Sequence, residues 1–170
     1  MKAIIYTTNT GSAEQYAKML AEQTELSVFS MEEAKSEVEE GSEIIYLGWI
    51  MAAQVKGYKK AAKKYKIRAV CAVGMEKTGT RTEEIRKKTF VPAEVPLFTL
   101  QGNFNVKKLH GFYRLMMKMM VKMVTKQLGA KPDRTQRENE MLEIMLQGGE
   151  NVRKENLAEV LDWYKREQML

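Results

Sequence analysis

Short apolar runs recur along the first 100 residues, each closed by a turn of small and polar residues. They are Ala3-Ile4-Ile5-Tyr6, Leu26-Ser27-Val28-Phe29, residues 43–48 (EIIYLG), residues 69–74 (AVCAVG) and residues 95–100, where Pro96 interrupts near the start. Most lack the apolar–polar alternation of a half-solvated strand, so they read as strands buried on both faces of a sheet. Helical spacing fills the gaps. Ala13, Tyr16, Ala17 and Leu20 follow Ser12 at positions that share one helix face. Ser30 with Glu33 forms a capping-box pair before a brief acidic helix, a basic helix is expected over residues 54–66, and Thr80 with Glu83 marks another capping box. Strand–helix alternation of this kind predicts a doubly wound α/β domain with a five-stranded parallel sheet.

Beyond the fifth run the pattern changes. A long helical pattern covers residues 107–128 and stops at Gly129, and a second covers 136–147, opened by the capping pair Thr135/Glu138 and closed by Gly148-Gly149. A last amphipathic helix carries Leu157, Val160, Leu161 and Tyr164. With no internal repeat, the expectation is a single domain over residues 1–170, with residues 102–150 as a helical insert between the fifth strand and the last helix.

Ligands of doubly wound sheets bind at the carboxyl ends of the strands, where the strand order reverses. The loop after the first strand is Thr8-Asn9-Thr10-Gly11-Ser12-Ala13. Its hydroxyls, its glycine and the free N–H groups of the following helix suit a phosphate monoester without needing a lysine. The same residue types suit any well-capped helix start, so spacing alone leaves both readings open.

Particular absences narrow the chemistry. The first aspartate is Asp133, which excludes a phospho-acceptor receiver domain with aspartates after its first and third strands. Gly74-Met75-Glu76-Lys77-Thr78-Gly79 has P-loop glycine spacing, yet Thr80-Arg81 stands where Lys-Ser/Thr is required. His110 is the only histidine and no serine follows Ser42, which argues against a Ser/His hydrolase. A single cysteine, Cys71, allows no intrachain disulfide and, with one histidine, no structural zinc site. A reduced, cytoplasmic setting is expected, since no apolar run is long enough for a secretory or membrane-spanning segment.

The segment Tyr6-Thr7-Thr8-Asn9-Thr10-Gly11-Ser12-Ala13-Glu14 resembles the phosphate-loop fingerprint of flavodoxins, [ST]-x-T-G-x-[TS]. Gly48-Trp49-Ile50-Met51-Ala52-Ala53-Gln54 falls where flavodoxins pack a loop on one face of the isoalloxazine, and residues 74–79 fall where a third flavin-contacting loop is expected. The resemblance implies a sheet of order 2-1-3-4-5, FMN as cofactor, and Thr8–Ala13, Trp49, Ile50, Met51, Ala52, Ala53 and residues 74–79 around it. It implies electron or hydride transfer through the flavin, with no side chain as general acid or base. Ala13 departs from the usual threonine, Trp49 and Met51 stand in for a stacking aromatic near Ala52, and Ala52-Ala53 replaces a flipping glycine peptide. These departures support an alternative, a flavodoxin-fold binding or assembly module without flavin.

Leu100-Gln101-Gly102-Asn103-Phe104, Lys108-Leu109 and residues 112–120 look like the group that includes the bacterial protoporphyrinogen IX dehydrogenases, which implies a quinone or porphyrinogen as reaction partner. The charge pattern bears on partners. Net charge is +6 overall, but residues 51–126 alone hold 18 basic and 4 acidic groups. Arg114, Lys118, Lys122 and Lys126 repeat every fourth position among methionines, a helix face suited to the inner face of an anionic membrane, to an acidic partner, or to plain packing on a sheet edge or in a homodimer with the lysines in water. Lys56, Lys59, Lys60, Lys63 and Lys64 read as a solvated face that, beside a flavin loop, would favour anionic substrates. No aromatic platform accompanies the charge, which argues against nucleic acid.

Overall fold

In the computed structural model, which describes residues 1–104 and 111–169, the apolar runs form strands of one sheet. These are β1 (Ala3–Thr7), β2 (Ser27–Ser30), β3 (Glu43–Met51), β5 (Lys66–Gly74) and β6 (Leu97–Gln101), all parallel, in the order β2-β1-β3-β5-β6. A two-residue strand, β4 (Gln54–Val55), folds back antiparallel on the end of β3. Counting only the parallel strands, this is the expected order 2-1-3-4-5.

Successive residues of a strand point to opposite faces, and both faces are covered here. Ile5, Ile44, Tyr46, Val70 and Ala72 pack on one side with Ala34, Tyr58, Ala61 and Ile85 of the helices α2 (Ala34–Glu37), α3 (Tyr58–Lys64) and α4 (Thr82–Thr89). Ile4, Ile45, Leu47, Ala69, Cys71 and Val73 pack on the other with Tyr16, Ala17 and Leu20 of α1 (Ser12–Thr24) and with Val160 and Trp163 of α7 (Ala158–Gln168). Each large side chain buried this way contributes about 1.5–3 kcal/mol, which outweighs local propensity. Burial pushes the Cys71 thiol up to about 12, so it stays protonated. The Tyr16 hydroxyl donates to the Gln101 carbonyl (2.5 Å) and accepts from the Asn156 amide (2.6 Å), tying α1 to the end of β6 and to the 3-10 turn Lys154–Leu157 that opens α7.

Two helical expectations need correction. The basic helix does not start at residue 54, because Gln54 and Val55 hydrogen-bond back to β3; α3 begins at Tyr58, after Gly57. The Thr80/Glu83 box does not form. Thr80 Oγ1 donates to the Lys77 carbonyl (2.7 Å), and α4 starts after Arg81, held in the left-handed region (φ 56). The Ser30/Glu33 pair does form reciprocal bonds, 2.8 and 3.2 Å.

The chain divides into two compact units, Met1–Gly102 with Val152–Leu170, and Asn103–Asn151. The second unit packs α5 (Gly111–Gly129) against α6 (Gln136–Gln147). Thr135 and Glu138 form the expected capping box at α6 (2.8 and 3.2 Å), and Arg134 donates to the Leu128 carbonyl at the end of α5 (2.8 Å). Phe104 and Gly149 exchange backbone bonds of 2.8 and 3.1 Å, closing the unit's ends together. The expected start of the first insert helix, with Lys107, Lys108, Leu109 and His110, lies outside the described residues.

Candidate functional site at the carboxyl edge of the sheet

The loop after β1 is built around Gly11. Its φ of +91° favours glycine, and a Cβ there would meet nothing within 4 Å, so backbone angle rather than crowding selects the residue. The Gly11 N–H donates to Thr8 Oγ1 (3.0 Å), which curls the loop, and no side chain caps α1. A helix start without a side-chain cap directs backbone N–H groups and the positive end of the helix dipole at open space, an arrangement that suits a phosphate. Thr8, Asn9 and Thr10 are half-buried around it. Ser12 is buried beside Gly102, where a Cβ would come within 3.1 Å of the serine Cβ. Ala13 is buried in the core cluster with Tyr16, so it offers the loop its backbone N–H, and a hydroxyl on its Cβ would point into apolar packing. The one acidic residue of the first turn, Glu14, is paired with Lys18 at 2.6 Å.

The loop after β3 is a tight hairpin. Met51 pairs with Gln54, leaving Ala52 and Ala53 as a two-residue turn. Both have positive φ, 51° and 60°, the signature of a type I′ turn, which normally takes Asn-Gly. Two alanines in this conformation store roughly 1 kcal/mol or more of strain each. The hairpin's return is fixed from below by Tyr46. Its hydroxyl donates to the Lys56 carbonyl (2.7 Å) and shares a second hydrogen bond with Thr7 Oγ1 (2.8 Å). Burial raises this phenol to about 12, so it remains a donor. Gly48 and Gly57 allow that closeness. A Cβ at Gly48 would lie 2.6 Å from the Lys56 carbonyl oxygen, and one at Gly57 2.1 Å from Tyr46 Oη.

The third loop, residues 74–79 after β5, is anchored to the neighbouring strand β6. Thr78 Oγ1 accepts from Gln101 N–H (3.0 Å), Gly79 N–H donates to the Thr99 carbonyl (3.0 Å), and Gln101 Nε2 donates to the Met75 carbonyl (3.3 Å). Glu76 is held by Arg81 (2.8 Å), which also grips Glu84 (2.6 Å); the two carboxylates keep that guanidinium charged. Lys77 is exposed at the tip.

Strand register brings the three loops to one edge. Thr7 lies beside Gly48, Gly48 beside Ala72 and Trp49 beside Val73, while a Cβ at Gly74 would sit 2.9 Å from Ile50 Cδ1. A cleft of about 770 Å³ opens at this edge and is lined by Tyr6, Thr8, Trp49 and the lysines Lys56, Lys59 and Lys60, among others. Of the flavin-site residues expected from sequence it takes in Thr8 and Trp49, whereas residues 9–13, 50–53 and 74–79 do not line it. It also reaches Ser30 at the end of β2, Met31 and Glu32 after it, and Thr89 of α4; sequence reasoning places none of them at the site, because nothing local marks them for it. The only signal is topological, since β2 ends beside β1.

The family model for a flavodoxin domain matches residues 3–130, about three quarters of the chain. The chain belongs to the flavodoxin domain family. The matched region contains all three loops of this flavodoxin domain and the helix α5. No curated protein sequence and no solved structure matches the chain. Among the described residues no helix is long and apolar enough to cross a membrane.

Proposed function

We propose that the chain binds FMN at the carboxyl edge of its sheet and serves as a redox protein. The observation that carries the reading is the loop at Gly11. A glycine in the left-handed region, a loop closed by Thr8, and α1 starting without a side-chain cap fit a phosphate monoester in a flavodoxin domain. The hydroxyls of Thr8 and Thr10 and the backbone N–H groups of residues 12 and 13 would hold the phosphate, with the Gly11 N–H kept on Thr8 to shape the loop. Trp49, Ile50 and Met51, with the turn Ala52-Ala53 on one side and residues 74–79 on the other, would hold the ring. Bound there, FMN supplies one- or two-electron transfer, and the protein's part is to bind, orient and tune it. Lys18 would offset the charge of Glu14, whereas Arg81, shared between Glu76 and Glu84, would offset only one of those two carboxylates.

The substrate reading is narrower: an oxidoreductase of the protoporphyrinogen dehydrogenase type that passes electrons to a quinone. Lys56, Lys59 and Lys60 along the cleft support it, since they suit a substrate bearing carboxylates. Visible absorbance of the purified protein before and after FMN addition tests the cofactor reading. A protein that stays colourless and takes up no FMN would be a flavin-free binding module instead. Anaerobic oxidation of protoporphyrinogen with a quinone acceptor tests the substrate, and a flavin-loaded protein with no turnover would refute that assignment alone.

A further inference from the structure

We propose that one face of α5 docks on an anionic lipid bilayer, with the helix lying in the plane of the surface. Phe112, Leu115, Met116, Met119 and Met123 are exposed by 73, 60, 37, 66 and 56%. At 3.6 residues per turn all five fall within an arc of about 100°, so they form one continuous apolar stripe rather than scattered exposed residues. The half-buried residues Met117, Met120, Val121, Val124 and Leu128 occupy a different arc of the helix. The stripe is thus additional to the packing that α5 makes with α6.

Charge selects the occupant. Arg114, Lys118, Lys122 and Lys126 are all exposed, and Gly111–Gly129 contains no acidic residue. Lys118 and Lys122 lie along one flank of the stripe, while the row drifts from Arg114, farther round the helix, to Lys126, at the stripe's C-terminal end. A second copy docked stripe to stripe would set these cations against their own equivalents with no carboxylate between them. An anionic lipid surface matches both features, because phosphate headgroups meet the cations while the acyl boundary takes Phe112, Leu115 and the methionines. Lysine stems are long enough to lie along the apolar layer with their ammonium groups in the headgroups. The helix does not span, since no helix among the described residues is apolar enough to do so.

The test is flotation of the full chain with vesicles of phosphatidylcholine alone and with phosphatidylglycerol added, at low and high salt. The parent is expected to float with the anionic vesicles at low salt, to stay behind with the neutral ones, and to release as salt rises. Lys118→Glu/Lys122→Glu should weaken anionic partition on the order of thirtyfold, from the loss of two cations near the surface. Lys118→Arg/Lys122→Arg should keep it. Leu115→Ser/Met119→Ser should weaken it while leaving its salt dependence in place. All these positions are exposed, and an unchanged far-UV circular dichroism spectrum confirms that each variant is folded. A parent that ignores anionic vesicles, or a charge-reversed variant that floats like the parent, overturns the proposal. So does a parent dimer that Leu115→Ser/Met119→Ser converts to monomer without any vesicle binding, which would assign the stripe to a second copy.

Discussion

The turn at Ala52-Ala53 breaks a local rule at the place where a flavin loop is expected, and its cost can be measured. Both residues sit in the left-handed region, φ 51° and 60°, where the alanine Cβ crowds the backbone. Replacing the pair with asparagine followed by glycine, the sequence that a type I′ turn favours, relieves roughly 1 kcal/mol at each position. Glycine returns about 0.4–1 kcal/mol through a more flexible unfolded chain, whereas asparagine returns little. The net expectation for Ala52→Asn/Ala53→Gly is a stabilisation of about 1–1.5 kcal/mol, or roughly 2–5 °C in Tm for a chain of this size. Packing does not confound it, since Ala52 is exposed and Ala53 half-buried. Ala52→Val should move the other way by at least about 1 kcal/mol, because a β-branched side chain is worse than alanine at positive φ. Thermal unfolding without added flavin is the assay. An Asn-Gly variant no more stable than the parent, or a valine variant as stable as it, would refute the claim that this hairpin is strained.

Two further outcomes follow from contacts near and far from that edge. Gly57→Ala places a Cβ 2.1 Å from Tyr46 Oη and 2.6 Å from Thr7 Oγ1 at a φ of +82°, so a loss of about 3 kcal/mol is expected from chemical denaturation. A neutral substitution would mean that the Tyr46–Thr7–Lys56 link is not formed. In the second unit, the Lys131 ammonium and then the Thr135 backbone N–H hold the Glu138 carboxyl down at about 2. A depressed carboxylate supports the folded state above its ordinary pKa and loses that support as pH falls through the depressed one. The Thr135 amide resonance should therefore titrate near pH 2, and a midpoint in the ordinary glutamate range would contradict the capping box.

The parallel sheet is legible because burial on both faces leaves strands almost continuously apolar, and the helices because their buried positions recur at helical spacing. The Thr135/Glu138 box is legible since both partners lie within one turn. Thr80/Glu83 has the same spacing, yet Thr80 bonds to Lys77 and the Glu76–Arg81–Glu84 ion pairs hold the start of α4. Two residues of β4 are too few to leave a pattern, so Gln54 and Val55 merge with the helical signal that follows them. Around the candidate site, the three loops can be placed from topology alone. What joins them cannot, since the Tyr46 hydroxyl reaches Thr7 across 39 positions and Tyr16 reaches Gln101 across 85. Ala13 shows the same limit. Its place in the motif suggests a missing hydroxyl, whereas its burial leaves only a backbone N–H to offer.

The phosphate cradle at Gly11 is the centre of the functional reading, and FMN and riboflavin differ by the phosphate it would hold. Titrating the protein with each, followed by quenching of flavin fluorescence, separates that cradle from any general affinity for the ring. FMN should bind far more tightly than riboflavin, by at least about a hundredfold if the phosphate gains two or more charge-assisted hydrogen bonds. Equal affinity for the two flavins, or no binding of either, would contradict it.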